Sequence, residues 1–197
     1  ATLRRQRQMC IRDSMKCAAL QLNLIVGDFY GNARKIQAAV ESAADAGAEL
    51  CVTSELAIWG YPARDLLLNP GWVETSLNVL NGLAQRLKHL PPTLVGIASK
   101  RPSDLPGKPL QNAAALLRDG KVETIFAKSL LPTYDVFDEH RYFEPGQAVQ
   151  TFEVDGKTIA VTICEDIWND GGLSRWSSYA ERPLAALEKT PVDLIVN

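Results

Sequence analysis

The sequence predicts an α/β fold in a single domain, and three observations lead to this prediction. Runs that alternate like β-strands are separated by segments with helical periodicity, and two Asp-Gly pairs join strand-like runs. No internal repeat, low-complexity tract or Ser/Gly linker divides the chain. Of the 197 residues, 46% are apolar and 22% are charged, which is typical of chains that bury a globular core.

Strands and helices are predicted to alternate from Met15 onward. Cys17 to Leu22 and Leu50 to Thr53 are predicted to be strands. Between them, Asn32 to Ala46 is predicted to be a helix that ends at Gly47. The apolar face of this helix is formed by Ile36, Ala39, Val40 and Ala43.

A second helix and further strands follow. Trp72 to Leu90 has the periodicity of an amphipathic helix, and the proline pair that begins at Pro91 ends it because proline lacks a backbone N–H. Leu94 to Ala98 and Val192 to Val196 are predicted to be strands. Asp119-Gly120 and Asp155-Gly156 are typical of two-residue hairpin turns, so each is expected to join two antiparallel strands.

The first 14 residues differ in character from the rest of the chain. They read ATLRRQRQMCIRDS, which is basic and without a period, whereas Met15 opens the strand-like run MKCAALQLN. We expect residues 1–14 to be a non-native or disordered leader and residues 15–197 to form the domain. A mitochondrial transit peptide is the alternative, since arginine is abundant and acids are scarce, but no amphipathic helix of useful length follows.

Charge and cysteine usage exclude several classes of protein. The formal charge is -2 and the pI is near 5.8, which argues against a nucleic-acid-binding protein. No apolar run approaches the ~18 residues of a membrane span, so no membrane is expected. The four cysteines have no disulfide-like or C-x-x-C spacing, which suits a reducing cytoplasm, and no metal site is predicted. Cys17 and Cys51 lie on strands predicted to belong to the core.

Cys164 stands in an unusual setting. The β-branched run 161–163 leads directly to this thiol, and Glu165 and Asp166 follow it. Carboxylates raise the pKa of a thiol and lower its reactivity. A reactive Cys164 would therefore need a base and a positive charge from elsewhere in the chain.

Charged residues at other strand ends could supply that base and charge. His89 and His140 are more typical of surface positions, because neither follows a buried strand. Glu55 follows LCVTS and Lys128 follows VETIFA, and active-site groups of open α/β sheets gather at such strand ends. A lysine near the thiol would favour the thiolate, and a buried glutamate could accept its proton. From strand-end position alone, these three residues could equally be unrelated.

Three longer motifs carry a family resemblance. In chain order they are SELAIWGYPARDLLL, KSLLPTYDVFDEHRYFEPG and ICEDIW. The chain resembles the carbon-nitrogen hydrolase (nitrilase) superfamily from Met15 to Asn197, and more narrowly the glutaminase domains of glutamine-dependent NAD synthetases. Ser54 departs from the family pattern, which usually has proline before the glutamate; this should alter the turn rather than the chemistry.

The resemblance implies a nitrilase-like α-β-β-α sandwich, incomplete at the C-terminus. It also implies that an ATP-dependent synthetase domain is absent from the chain, and the Gly171-Gly172 pair is too short to cradle a phosphate. No cofactor is implied for the glutaminase half, whereas ATP and Mg²⁺ would serve the missing domain. The implied partners are L-glutamine, deamido-NAD⁺ and ATP, with ammonia passed between two sites and association into a homo-oligomer.

The resemblance places a Glu-Lys-Cys triad on Glu55, Lys128 and Cys164. It implies that Glu55 takes the thiol proton, Cys164 attacks the carboxamide of glutamine, and Lys128 stabilises the oxyanion. Ammonia would then leave, and water would hydrolyse a γ-glutamyl thioester. Two other functions stay open: a stand-alone ω-amidase of the nitrilase family, and a catalytically inactive fragment.

Four further residues receive roles from the resemblance. Glu165 would hold the α-ammonium of the substrate, Tyr134 and Phe137 would line the glutamine pocket, and Glu139 would hydrogen-bond around the lysine. Each role has a structural alternative. Glu165 could be a surface acid at a helix N-terminus, Tyr134 could serve packing, and Glu139 could be a solvated member of a charge run.

Overall fold

The computed structural model describes residues 15–101, 106–169 and 179–197; the predicted leader over residues 1–14 lies outside them. The described strands are β1 Cys17–Leu20, β2 Leu50–Thr53, β3 Thr93–Lys100, β4 Leu110–Arg118, β5 Lys121–Ala127, β6 Gln150–Val154, β7 Lys157–Val161 and β8 Leu194–Val196. The α-helices are α1 Phe29–Asp45, α2 Pro70–Arg86 and the short α3 Glu139–Tyr142. Short 3-10 helices span Arg64–Leu68, Cys164–Ile167 and Pro183–Leu187.

The strands form two sheets. The first has the order β1-β2-β3-β4-β5, in which β1, β2 and β3 are parallel and β4 and β5 are antiparallel to their neighbours. The second has the order β6-β7-β8, with β6 antiparallel and β8 parallel to β7. Both predicted hairpin turns are confirmed. Asp119 and Gly120 have φ values of 52° and 82°, and Asp155 and Gly156 have 48° and 74°, the left-handed pair that a tight hairpin turn requires.

The layers are helices, first sheet and second sheet. Helices α1 and α2 bury one face against the first sheet, in a core that includes Ile36, Val40, Leu80, Leu83, Val95 and Ile97. A second core lies between the two sheets and contains Leu50, Leu94, Leu116, Phe126, Phe152, Val154, Ile159 and Val161. Both long helices pack on the first sheet, so the described residues supply three of the four layers of the predicted sandwich.

Capping residues explain why both long helices start earlier than their apolar periodicity predicts. The Asp28 side chain accepts the N–H of Gly31 at 2.8 Å, so α1 begins at Phe29 instead of Asn32. Asn69 caps α2, which begins at Pro70 instead of Trp72 and ends at Arg86, four residues before the predicted Leu90. No helix among the described residues is long and apolar enough to cross a membrane.

Strand bounds differ from the predictions at the sheet edges. The edge strand β1 ends at Leu20, β3 is longer than predicted, and β8 begins at Leu194 instead of Val192. Cys51 is buried as predicted, but Cys17 is exposed on β1, which lies at the edge of the first sheet as the described strands form it. The expectation that Cys17 belongs to the core is therefore wrong.

Candidate active site

The three predicted triad residues follow strands whose ends lie together. Glu55 lies just beyond β2, Lys128 directly follows β5, and Cys164 comes three residues after the end of β7. Glu55 and Cys164 line one cleft of about 210 Å³ between the two sheets, while Lys128 is fully buried behind it.

Cys164 does not end the strand, contrary to the sequence prediction. Strand β7 stops at Val161, and Cys164 opens the 3-10 helix Cys164–Ile167 with a φ of 52°. Leu56, directly after Glu55, has a φ of 49°. Left-handed backbone is costly for residues with a side chain and is concentrated at functional sites. The thiol and the carboxylate therefore lie on sharp turns that aim them into the cleft.

Two glycines allow the loops of the site to pack closely. A Cβ on Gly96 of β3 would collide with the backbone of Ser54 and Leu56, so only glycine lets the Glu55 loop lie against this strand. Gly146 donates its N–H to the carbonyl of Lys128 at 2.7 Å. A Cβ on Gly146 would collide with the backbone of Ala127, the residue before Lys128. Both close approaches hold the residues that follow β2 and β5 in place.

Lys128 is the centre of a buried ionic cluster. Its Nζ lies 2.8 Å from Oε1 of Glu55 and 3.0 and 2.9 Å from the two carboxylate oxygens of Glu139. Lys128 is 0% exposed and Glu139 only 4%, so Glu139 is not the solvated member of a charge run. The side chain of Glu55 keeps 21% exposure, which leaves part of it open to the cleft.

Two residues of this cluster were not predicted as site residues. The Asn112 Nδ2 donates to Glu55 Oε1 at 2.6 Å and to Glu139 Oε2 at 3.2 Å. The Tyr61 hydroxyl donates to Glu139 Oε1 at 3.1 Å. For Asn112 a signal exists in the sequence, since it is a polar side chain directly before the apolar run 113–117 of β4.

The electrostatics of the cluster favour a charged lysine and a protonated thiol. Burial alone would lower the pKa of Lys128, but the carboxylates of Glu55 and Glu139 outweigh it and raise the pKa. Burial raises the pKa of Glu139, and Lys128 opposes this only in part. Burial also raises the pKa of Cys164 to about 11, with Lys128 opposing and the nearby carboxylates adding to the shift. At neutral pH the thiol therefore needs a base.

Glu165 is buried and held by two tyrosines. It is 1% exposed, so it is not a surface acid. The hydroxyl of Tyr134 donates to Oε1 of Glu165, and the hydroxyl of Tyr179 donates to Oε2. The hydrogen bond to Glu165 raises the pKa of Tyr134 to about 12. Tyr179 was not predicted from the sequence, in which it lies outside the recognised motifs.

Aromatic rings form one wall beside this carboxylate. The ring of Phe137 lies 5.7 Å from that of Tyr134 and 6.2 Å from that of Tyr61, centroid to centroid. Tyr134 is 47% exposed, so it is not simply packed in the core. The structure therefore brings all seven predicted site residues together. Among the described residues, no group of three or more His, Cys, Asp and Glu side chains is suited to hold a metal ion.

Comparison with known proteins identifies the family. The sequence pattern described as Carbon-nitrogen hydrolase matches residues 16–180, most of the chain. The chain belongs to the carbon-nitrogen hydrolase family. The family resemblance expected from the three motifs is thereby confirmed, and the α-β-β layers and the clustered Glu, Lys and Cys side chains accord with it.

The curated relatives of this carbon-nitrogen hydrolase are longer proteins. It is 42% identical over 182 residues to the glutamine-dependent NAD(+) synthetase of Synechocystis sp., covering 91% of this chain and 33% of that protein. It is 38% identical over 156 residues to the glutamine-dependent NAD(+) synthetase of Thermotoga maritima, covering 79% and 26%. The chain thus spans about a third or less of the length of these relatives.

Solved structures show the same fold. A glutamine-dependent NAD+ synthetase from Acinetobacter baumannii, in complex with ADP, matches with a TM-score of 0.72 and 34% identity over 79% of this chain and 28% of that one. An amidase from Nesterenkonia sp. matches with a TM-score of 0.62 and 22% identity over 78% of this chain and 56% of that one. Because the amidase is only 22% identical, its match shows a shared fold and nothing about activity.

Proposed function

We propose that this chain hydrolyses L-glutamine and supplies the ammonia used by a glutamine-dependent NAD⁺ synthetase. The observation that carries the proposal is the placement of Cys164 and Glu55 on one cleft, with the buried Lys128 bound to Glu55 at 2.8 Å. The identity of 42% to a glutamine-dependent NAD(+) synthetase supports the choice of substrate.

Glu55 serves as the general base in this proposal. A thiol with a pKa of about 11 is protonated at neutral pH, so it must lose its proton as it attacks. Glu55 takes that proton while the sulfur of Cys164 bonds to the carboxamide carbon of glutamine. The carbonyl electrons move to oxygen, and the product is a tetrahedral intermediate.

Lys128 stabilises the negative oxygen of that intermediate. Its ammonium has three N–H groups, which contact one oxygen of Glu55 and both oxygens of Glu139. Giving up one of the two Glu139 contacts frees an N–H for the oxyanion. The proton held by Glu55 passes to the leaving nitrogen, and ammonia departs as the thioester forms. Water, deprotonated by Glu55, then attacks the thioester and releases glutamate and the thiol of Cys164.

Glu165 provides recognition of the substrate's α-ammonium. A buried carboxylate needs a partner of opposite charge or hydrogen-bond donors, and two tyrosine hydroxyls already orient this one toward the aromatic wall. Tyr134 and Phe137 cover the carbon chain of glutamine. Glu139 holds Lys128 through both of its carboxylate oxygens, so the lysine stays charged and fixed in place.

The remaining expectations belong to the complete protein. Residues 15–197 form part of the glutaminase domain. Ammonia passes from this site to an ATP-dependent synthetase domain that uses Mg²⁺ and amidates deamido-NAD⁺. The glutaminase half needs no cofactor of its own. The protein works as a homo-oligomer in the cytoplasm.

The test separates the two ammonia sources. In the protein expressed at its full natural length, Cys164→Ala should abolish NAD⁺ synthesis from glutamine while free ammonia still supports it, because the ligase step needs no thiol. Cys17→Ala, at an exposed cysteine of the edge strand β1, is the matched control and should keep both activities. Loss of both activities by a folded Cys164→Ala protein, or full glutamine hydrolysis by it, would contradict the proposal.

A second comparison addresses the stand-alone amidase alternative. Glutaramate is glutamine without its α-amino group, so it offers the same amide but no charge to Glu165. We expect glutamine to be hydrolysed with a kcat/KM at least ~10-fold higher, since charged hydrogen bonds contribute ~1.5–3 kcal/mol. Equal turnover of both amides would favour an ω-amidase of broad specificity.

A further inference from the structure

Asn112 lies in the buried cluster but has no part in the bond-making steps. It is 0% exposed, and every other fully buried side chain of β4 is apolar. The residue before it, Gln111, points to the opposite face of the strand and is only half-buried. A buried amide at this point of a strand calls for a physical reason.

Both N–H groups of the Asn112 amide donate hydrogen bonds to carboxylates. Nδ2 lies 2.6 Å from Oε1 of Glu55 and 3.2 Å from Oε2 of Glu139. Ionised carboxylates only accept hydrogen bonds, so the nitrogen must face them. The amide oxygen is buried without a hydrogen-bond partner among the described residues. An apolar side chain of similar size would avoid that cost, so stability alone does not explain an asparagine here.

The two carboxylate oxygens of Glu55 differ in their hydrogen-bond partners. Oε1 accepts from Lys128 Nζ at 2.8 Å and from Asn112 Nδ2 at 2.6 Å. Within the described part of the chain, Oε2 has no hydrogen-bond donor. Two donors on one oxygen fix the plane of the carboxylate, and the second oxygen is left for the cleft that it shares with Cys164.

We propose that Asn112 is a positioning residue that anchors Oε1 of Glu55, together with Lys128, so that Oε2 receives the proton of Cys164. The second N–H of the Asn112 amide donates to Glu139, so both carboxylates stay in position around Lys128. The proposal rests on the proposed function, in which Glu55 is the base.

The test is Asn112→Leu in the protein at its full natural length, which keeps the approximate shape and removes both donors. We expect kcat for glutamine hydrolysis to fall at least ~10-fold with KM changed less than ~3-fold, since geometry at the base and not binding is disturbed.

The matched control is Gln111→Leu, the same chemical change one residue away on the opposite face. It should leave both kcat and KM for glutamine within about twofold of the wild-type values. If Asn112→Leu is not recovered folded, the same measurements are made on Asn112→Thr. Its β-branched side chain suits a strand, and its single hydroxyl cannot bridge both carboxylates.

The outcomes separate this inference from the proposed function. If Asn112→Leu, or Asn112→Thr in its place, only lowers the melting temperature while kcat per folded molecule stays normal, the positioning role is refuted. Cys164→Ala is assayed in parallel. Glutamine hydrolysis by that variant would refute the proposed function itself, whereas an inactive Cys164→Ala beside a normal Asn112→Leu would refute the positioning role alone.

Discussion

Asp166 Oδ1 accepts the backbone N–H of Leu130 at 2.8 Å, which bonds the turn of Cys164 to the segment that follows Lys128. The same oxygen accepts the N–H of Ser129 at 3.0 Å, and Oδ2 accepts the N–H of Ile163 at 3.0 Å. Burial raises the pKa of Asp166, and these three backbone donors oppose the shift. One buried carboxylate thus sets the position of the thiol relative to the lysine.

Asp166→Asn should destabilise the protein. The asparagine oxygen can still accept the N–H groups on one side of the carboxylate position. On the other side its NH₂ group meets a backbone N–H, which then has no acceptor. An unsatisfied buried group costs about 1–3 kcal/mol, and we expect a loss of this size in the free energy of unfolding, measured in urea. Asp155→Asn, in the exposed turn between β6 and β7, should change it by less than ~0.5 kcal/mol. Equal effects would refute the role of Asp166.

Lys128→Met should be more damaging to stability than loss of an exposed lysine. It leaves the Glu55 and Glu139 carboxylates without their cation, and breaking a buried ion pair in this way costs about 3–5 kcal/mol. Lys100→Met, which removes an exposed ion pair with Glu74, should cost at most ~1 kcal/mol. Adding Glu139→Gln to Lys128→Met should restore part of the stability but no activity. A double variant no more stable than the single one would contradict this account.

Glu55→Gln tests the base directly. The amide has the same shape but accepts no proton, so glutamine hydrolysis should fall at least ~10²-fold. Glu74→Gln, at an exposed acid that pairs with Lys100, is the control and should hydrolyse glutamine at the normal rate. Near-normal turnover by Glu55→Gln would show that another group takes the thiol proton.

The thiol of Cys164 should make stability fall at alkaline pH. Its pKa is about 11 in the folded protein, against roughly 8.5 for an unfolded cysteine. Between these values the unfolded chain has released a proton that the folded protein still binds, so unfolding becomes more favourable as pH rises. The melting temperature of the wild type should therefore fall more between pH 8.5 and 11 than the melting temperature of Cys164→Ser. Parallel curves would place the thiol pKa near its ordinary value.

The tyrosines that hold Glu165 should affect binding and not the chemical step. Tyr134→Phe and Tyr179→Phe each remove one hydroxyl donor, so the carboxylate is less well oriented for the substrate's ammonium. We expect KM for glutamine to rise about 3- to 10-fold, the worth of one such hydrogen bond, with kcat nearly unchanged. Tyr30→Phe, on the exposed face of α1, should leave both constants unchanged. A fall in kcat with an unchanged KM would place Glu165 in the chemical step instead.

Local sequence signals predicted most of the elements but not their ends. Periodicity located both long helices, and the Asp-Gly pairs located both hairpins, because these signals act over a few residues. The start of α1 depends on a side-chain cap, which periodicity does not report. The turn at Cys164 was missed for a similar reason. Its φ of 52° is held by Asp166, whose partners at 129 and 130 are remote in sequence.

By itself, the sequence determined the α/β class and the family resemblance, and it singled out seven candidate site residues, because these depend on local pattern and on motif identity. Only the tertiary structure decided that Glu139 and Glu165 are buried, that Asn112 bridges two carboxylates and that Tyr179 holds Glu165. Hydrogen bonds between residues far apart in the chain form only when the fold brings the strands and the loops that follow them together. A pattern read along one strand or helix does not contain them.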